Sequence, residues 1–135
     1  MELTIEDFNQ VIEQEPSLSD SGVNSMESIR NFKKMGIEDA KKQLLIDRES
    51  FLSNFKEFKV CCSWLSKFKK VKTPQLSSYY LKHVVEKLEG EYVSNGALIA
   101  AAIHLKIPMK FYPDSPNVNI AISKICPYLK RSGNV

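Results

Sequence analysis

The sequence predicts a mainly α fold: a small helical domain with one long helix and a short C-terminal β-hairpin, an outline compatible with a winged helix-turn-helix. Three observations carry that prediction. From Ile37 the apolar residues Ala40, Leu44, Phe51, Phe55, Phe58, Cys62 and Leu65 recur at intervals of three and four, the spacing of one helix face. Residues 97–105, ALIAAAIHL, are apolar nearly all round, as in a helix buried on every side. Val118, Ile120 and Ile122 alternate with Asn119, Ala121 and Ser123, as in a half-buried strand. At 135 residues the chain fits one domain with a real hydrophobic core.

The first element is a short helix. Thr4 caps it with Asp7 three positions on, Leu3 and Phe8 have the spacing of a hydrophobic staple, and Glu15–Pro16 ends it. Ile5, Phe8 and Ile12 form an apolar stripe that suits docking on the body or on a partner. The stretch PSLSDSGVNS, 16–25, is polar and turn-rich and reads as a linker, dividing an arm (1–25) from a body (26–135). Asn24 with Glu27 opens a second helix through Ile29 and Phe32 that stops at Met35–Gly36.

The long helix then spans 37–68, roughly 48 Å if unbroken at 1.5 Å per residue, with Ser53–Asn54 as the place for a kink or break. Its seam suits intramolecular packing or a homodimer. Lys67, Lys69, Lys70 and Lys72 close it at the end where the helix dipole favours cations, and Pro74 enforces a turn. Ser77 or Ser78 caps the next helix, with Leu81, Val84, Val85 and Leu88 on one face and Gly90 just past its end. Ser94 or Asn95 caps ALIAAAIHL, where three successive alanines permit close helix approach, and Pro108 stops it. Lys110–Tyr112 and Val118–Ile122 flank the turn-forming PDSPN and form the hairpin.

Charge divides the chain. The first 29 residues hold seven acids and no Lys or Arg, whereas the rest holds nineteen bases against nine acids. The net charge of +3 thus averages an acidic arm with a basic body. Cys61, Cys62 and Cys126 form no CxxC pair, which argues against a disulfide framework or zinc site and for a reducing, cytoplasmic setting. No signal peptide is expected, and the longest apolar run, Ala97–Ile103, is far short of a membrane span.

A winged helix-turn-helix implies DNA binding, with the second helix of the pair in the major groove. Here that helix offers only Ser94 and Asn95 before turning apolar, which weighs against base readout. Phosphate contact is easier to support: Lys67, Lys69, Lys70, Lys72, Lys82, Lys110, Lys130 and Arg131 are candidates to gather on one side, or to be scattered solvated charges. Tyr79, Tyr80 and Tyr112 are candidates for stacking on bases or for ordinary packing. His83, His104, the cysteines and the acids Glu86, Glu89, Glu91 and Asp114 form no recognisable catalytic set, and no phosphate loop or metal-ligand spacing is present, so no enzyme activity, cofactor or metal is expected.

The stretch SSYYLKHVVEKLEGEYVSNGALIAAAIHLKIP with SPNVNIAIS behind it resembles a block in short uncharacterised accessory proteins of bacterial plasmids, integrative elements and phages, through LKH, YVSNGALIAAA and SPN. The resemblance covers about the last 60 residues. It implies a mobile-element context with no mechanism. The expected function is a non-enzymatic DNA-associated accessory or regulatory protein, its basic face on phosphate and its acidic arm moderating that contact. The alternative is an inhibitor or effector that binds a host or defence protein through Ile5, Phe8 and Ile12.

Overall fold

The computed structural model describes residues 2–15, 18, 19, 22, 23, 36, 38, 39, 42, 46, 49–112 and 115–123. Most of the expected linker, the helix opened at Asn24 and most of residues 37–48 lie outside the described residues. So do Asp114 and the tail from Lys124, with Cys126, Lys130 and Arg131. The proposed homodimer seam falls largely on them.

The described chain is mainly helical with a small antiparallel sheet. Its elements are α1 (Ile5–Gln14), α2 (Phe55–Leu65), β1 (Leu76–Ser77), α3 (Ser78–Glu89), α4 (Asn95–His104), β2 (Met109–Phe111) and β3 (Val118–Ile120). Local chemistry sets the helix starts. At α1 the Asp7 N–H donates to Thr4 Oγ1 at 3.3 Å and the Thr4 N–H to Asp7 Oδ2 at 2.8 Å, a reciprocal capping box. Ser77 caps α3 and Ser94 caps α4, each accepting a backbone N–H on its side-chain oxygen. Gly90 ends α3 with φ 68°, a conformation in which a β-carbon is penalised.

The centre of the molecule is α4. Every residue from Asn95 to Ala102 is buried, and α1, α2 and α3 all pack on it. Ala100, Ala101 and Ala102 are fully buried, and three helices pack on the helix that carries them. The C-terminal end of α4 closes by a two-bond wrap: Ile107 N–H donates to Ala102 O and Lys106 N–H to Ile103 O, both at 3.0 Å. This is a Schellman motif, and it puts Lys106 at φ 58°, where glycine is the usual occupant.

Two expectations are refined. The helix expected over 37–68 breaks at the place expected for a kink or break: residues 49–52 are helical, Ser53 and Asn54 form a turn, and α2 starts afresh at Phe55 and ends at Leu65. The reason is local competition for hydrogen bonds, since Ser53 Oγ donates to Ser50 O at 2.6 Å while Asn54 Nδ2 reaches Ser94 Oγ at 3.3 Å. The expected hairpin is one half of a larger unit. β2 and β3 pair antiparallel in the register Met109↔Ile120, Lys110↔Asn119 and Phe111↔Val118, and β1 joins the other side of β3 through Leu76↔Ile120 and Ser77↔Asn119. The order is β1-β3-β2, with β3 central.

The acidic N-terminal segment belongs to this core. Phe8 stacks on Phe58 with ring centroids 4.6 Å apart and lies 5.0 Å from Phe51; Val11, Ile12, Leu18 and Val23 are buried in the same cluster. Past α1 the chain latches onto the loop before β3, with Val23 N–H donating to Pro116 O at 3.0 Å. At the latch Gly22 has φ 126° and its α-carbon faces Pro116 O so closely that an added β-carbon would sit 2.0 Å from it.

Candidate nucleic-acid interface

Between Glu57 and Glu86 the sequence has no acid, while Lys59, Lys67, Lys69, Lys70, Lys72 and Lys82 fall inside that interval. The fold holds part of it rigidly at the sheet. Lys70 bridges to Ile122, Val71 N–H donates to Ala121 O at 2.9 Å, and Ser123 N–H donates to Lys69 O at 2.9 Å. The segment after α2 therefore runs beside the continuation of β3 before turning into β1 and the N-terminus of α3. Lys67, Lys69, Lys70 and Lys72 are all exposed along it. Four of the eight expected phosphate contacts thus share one anchored segment.

The other four divide. Lys110 is exposed on β2, where its Nζ lies 5.4 Å from the Tyr112 ring, and Tyr112 Oη accepts from Asn119 Nδ2 at 3.0 Å. By register Lys110, Asn119 and Ser77 form one row across the sheet. Lys82 is a different kind of residue. Its side chain is only 11% exposed, its Nζ donates to Glu86 Oε1 at 2.9 Å, and it lies over the Tyr92 ring. A lysine neutralised this way has little charge left to offer an outside phosphate, so it is corrected from ligand to structural ion pair. Lys130 and Arg131 lie outside the described residues.

Tyr79, Tyr80 and Tyr92 are each at least half exposed. Tyr79 meets His83 edge-on at 4.6 Å, and His83 Nδ1 lies 3.2 Å from the Glu86 oxygen that Lys82 also uses. Glu86 therefore ties together one cation and one imidazole on the surface of α3. The thiol groups lie in the interior. Burial pushes the Cys61 thiol well above its ordinary range, helped by Cys62 and by the Glu57 and Glu86 carboxylates; burial and then Asp7 push Cys62 up to about 12. Protonated thiols of this kind are poor nucleophiles.

Both thiols are thus expected to resist iodoacetamide in the native protein at a pH near the ordinary thiol value of about 8.5. Because the folded pKa is raised, their contribution falls as pH rises above that ordinary value, where only the unfolded thiols ionise. Peptide mapping after alkylation checks this: Cys61 and Cys62 should be modified only after denaturation. Rapid native labelling of either would contradict the burial described here.

The remaining candidates are placed as follows. His104, at the end of α4, lies edge-on to Phe58 at 5.7 Å and lines a cleft of about 580 Å³ with Asp7, Lys59, Cys62, Ser63 and Ser66. Asp7 has a lowered pKa, chiefly because it accepts the Thr4 backbone N–H, so its carboxylate is committed to capping. Among the described residues no group of three or more His, Cys, Asp or Glu is arranged to hold a metal. Of the expected partner stripe, Phe8 and Ile12 are interior and Ile5 is 49% exposed. Among the described residues no helix is long and apolar enough to cross a membrane.

Sequence reasoning missed β1, which is two residues long and has no alternation to reveal it. It also missed the Glu57 carboxylate, which accepts the Ser94 N–H at 2.7 Å and so fixes the entry to α4 from α2. The basic segment was legible as the lysine cluster Lys67, Lys69, Lys70 and Lys72 before Pro74. Comparison of the chain with protein-family models, curated proteins and solved structures gives no match.

Proposed function

We propose that the protein is a non-enzymatic accessory factor that contacts duplex DNA through its phosphates, with Lys67, Lys69, Lys70 and Lys72 as the main contacts and Lys110 as an outlying one. The observation that carries this reading is the anchoring of four exposed lysines beside the sheet, next to the N-terminus of α3. Charges held on a fixed backbone release counterions with less ordering cost than charges on a free tail. The element order is compatible with the winged-helix outline, with helix, short strand, helix pair and two further strands in the order β1-β3-β2, and this supports the reading.

The same comparison limits the mode of contact. The helix in the recognition position is α4, which is buried through Ala102 and carries no Lys or Arg. Base-edge readout by that helix has no side chains to work with, so the contact proposed is sequence-independent. The acidic segment moderates binding by its fixed charge, since α1 is seated in the core. The rival reading, in which α1 grips a partner's groove, lacks an accessible apolar face because Phe8 and Ile12 are interior.

Fluorescence anisotropy with a short duplex at several salt concentrations tests the proposal. Replacing Lys67, Lys69, Lys70 and Lys72 together by glutamine is expected to weaken binding and flatten the log affinity against log salt plot by about 3 to 4, at roughly 0.9 per phosphate contact. The exposed Lys87→Gln control on α3 should change little. No binding by the unaltered protein at low salt, or an unchanged slope in the fourfold variant, would reject it.

A further inference from the structure

Because β3 is central, β2 is a sheet edge, and among the described residues no strand pairs with its outer side. The phase of its backbone is fixed by one bond: Ala121 N–H donates to Pro108 O at 2.9 Å. In an antiparallel ladder hydrogen-bonded pairs alternate, so Lys110 turns its N–H and C=O toward Asn119, while Met109 and Phe111 turn theirs outward. Beside that edge lies a groove of about 390 Å³. Its apolar lining is Ile103, Ile107, Met109 and Phe111, and Phe111 is 41% exposed.

An open edge with an exposed aromatic is a pairing template that folded proteins ordinarily blunt. Lys110 blunts it selectively. If a second copy paired antiparallel through the same edge about Lys110, two lysines would stand directly opposite, which is unfavourable. Lys106, at φ 58°, and Glu15 both line the groove, so its rim carries both signs and selection by charge falls to Lys110 on the opposite face of the strand. Lys110 thus disfavours self-pairing in that register and favours an acid at the facing position of an added strand.

We propose that β2 is a docking edge for an extended segment of a partner protein in which an acidic residue stands between two apolar ones. The segment adds as a fourth strand, exchanging hydrogen bonds with Met109 and Phe111. Its apolar side chains enter the groove and its acid lies on the opposite face beside Lys110. This contact shares Lys110 with the outlying edge of the phosphate surface proposed above and is independent of its main contacts, Lys67, Lys69, Lys70 and Lys72.

The probe is a capped peptide, Thr-Val-Asp-Val-Thr, and its counterpart with lysine in place of aspartate. In the free protein the Met109 and Phe111 amides should exchange rapidly with solvent, and the aspartate peptide should protect and shift both in an NMR titration. Phe111→Pro removes an N–H that points away from the ladder, so β2–β3 pairing is retained while peptide affinity falls about tenfold or more. Lys110→Glu, which leaves every backbone group in place, should reverse the preference in favour of the lysine peptide. The proposal is overturned if the two amides are already protected in the free protein, if neither peptide binds at millimolar concentration, if Lys110→Glu leaves the preference unchanged, or if sedimentation shows the edge closed by dimerisation. Duplex binding by Phe111→Pro should match that of the unaltered protein, so this test and the phosphate test fail separately.

Discussion

Phe8→Ala is expected to remove about 3–5 kcal/mol of unfolding free energy, the cost of deleting a fully buried aromatic and leaving a cavity. Phe8 is completely buried, stacked on Phe58 and within 5.0 Å of Phe51, so the loss falls on the main core. Ile5→Ala one turn away should cost about 0.5 kcal/mol or less, because Ile5 is half exposed. Urea titration followed by fluorescence measures both, with Trp64 as the one tryptophan and a fully buried reporter. A Phe8→Ala loss below about 1 kcal/mol would mean that α1 is an appendage. The expected result also determines how the acidic segment should be probed: by substituting exposed acids such as Glu6 and Glu13, not by cutting it away.

Gly22→Ala should be the second severe change, at about 3 kcal/mol, through backbone strain combined with a steric clash. The added β-carbon would lie 2.0 Å from Pro116 O and 2.7 Å from Asn95 Nδ2, and the first of these is backbone with little freedom to move. The chain would have to leave the latch, giving up the Val23 N–H to Pro116 O bond and disturbing Asn95, whose Nδ2 also donates to Asn117 Oδ1 at 2.8 Å. A fall in melting temperature of about 10 °C is the corresponding readout. Gly90→Asn is the comparator: its φ of 68° is tolerated by asparagine and nothing stands within 4 Å of an added β-carbon, so its shift should be small. Equal shifts for the two would show that the Pro116 contact is unimportant.

The sequence was most legible where one residue type has one physical role. Thr4 with Asp7, Gly90 after α3, and the unbroken apolar face of ALIAAAIHL each have a single favourable solution, and the structure uses it. Where two local preferences compete, it showed the place of a break but not whether the helix would end there. The apolar periodicity runs through Ser53 and Asn54, but their side chains bond the nearby backbone and the cap of α4 and so break the helix. It was least legible where the answer depends on distant partners. A stripe of Ile5, Phe8 and Ile12 has the same pattern whether it faces its own core or a stranger's, and Lys82 is indistinguishable from Lys72 until Glu86 and Tyr92 are seen around it.

The position of α1 has a consequence for synthesis. Its neighbours on α2 and α4 are encoded well downstream of Phe8, and α4 ends roughly a hundred residues later, so at about 5–20 residues per second the ribosome needs several seconds or more to supply them. Until then Phe8, Val11 and Ile12 have no native surface to cover. Acids interleaved with apolar residues, as around these three, are the arrangement that keeps an exposed segment hydrated and discourages clustering, and here they flank core residues whose partners come late in the chain.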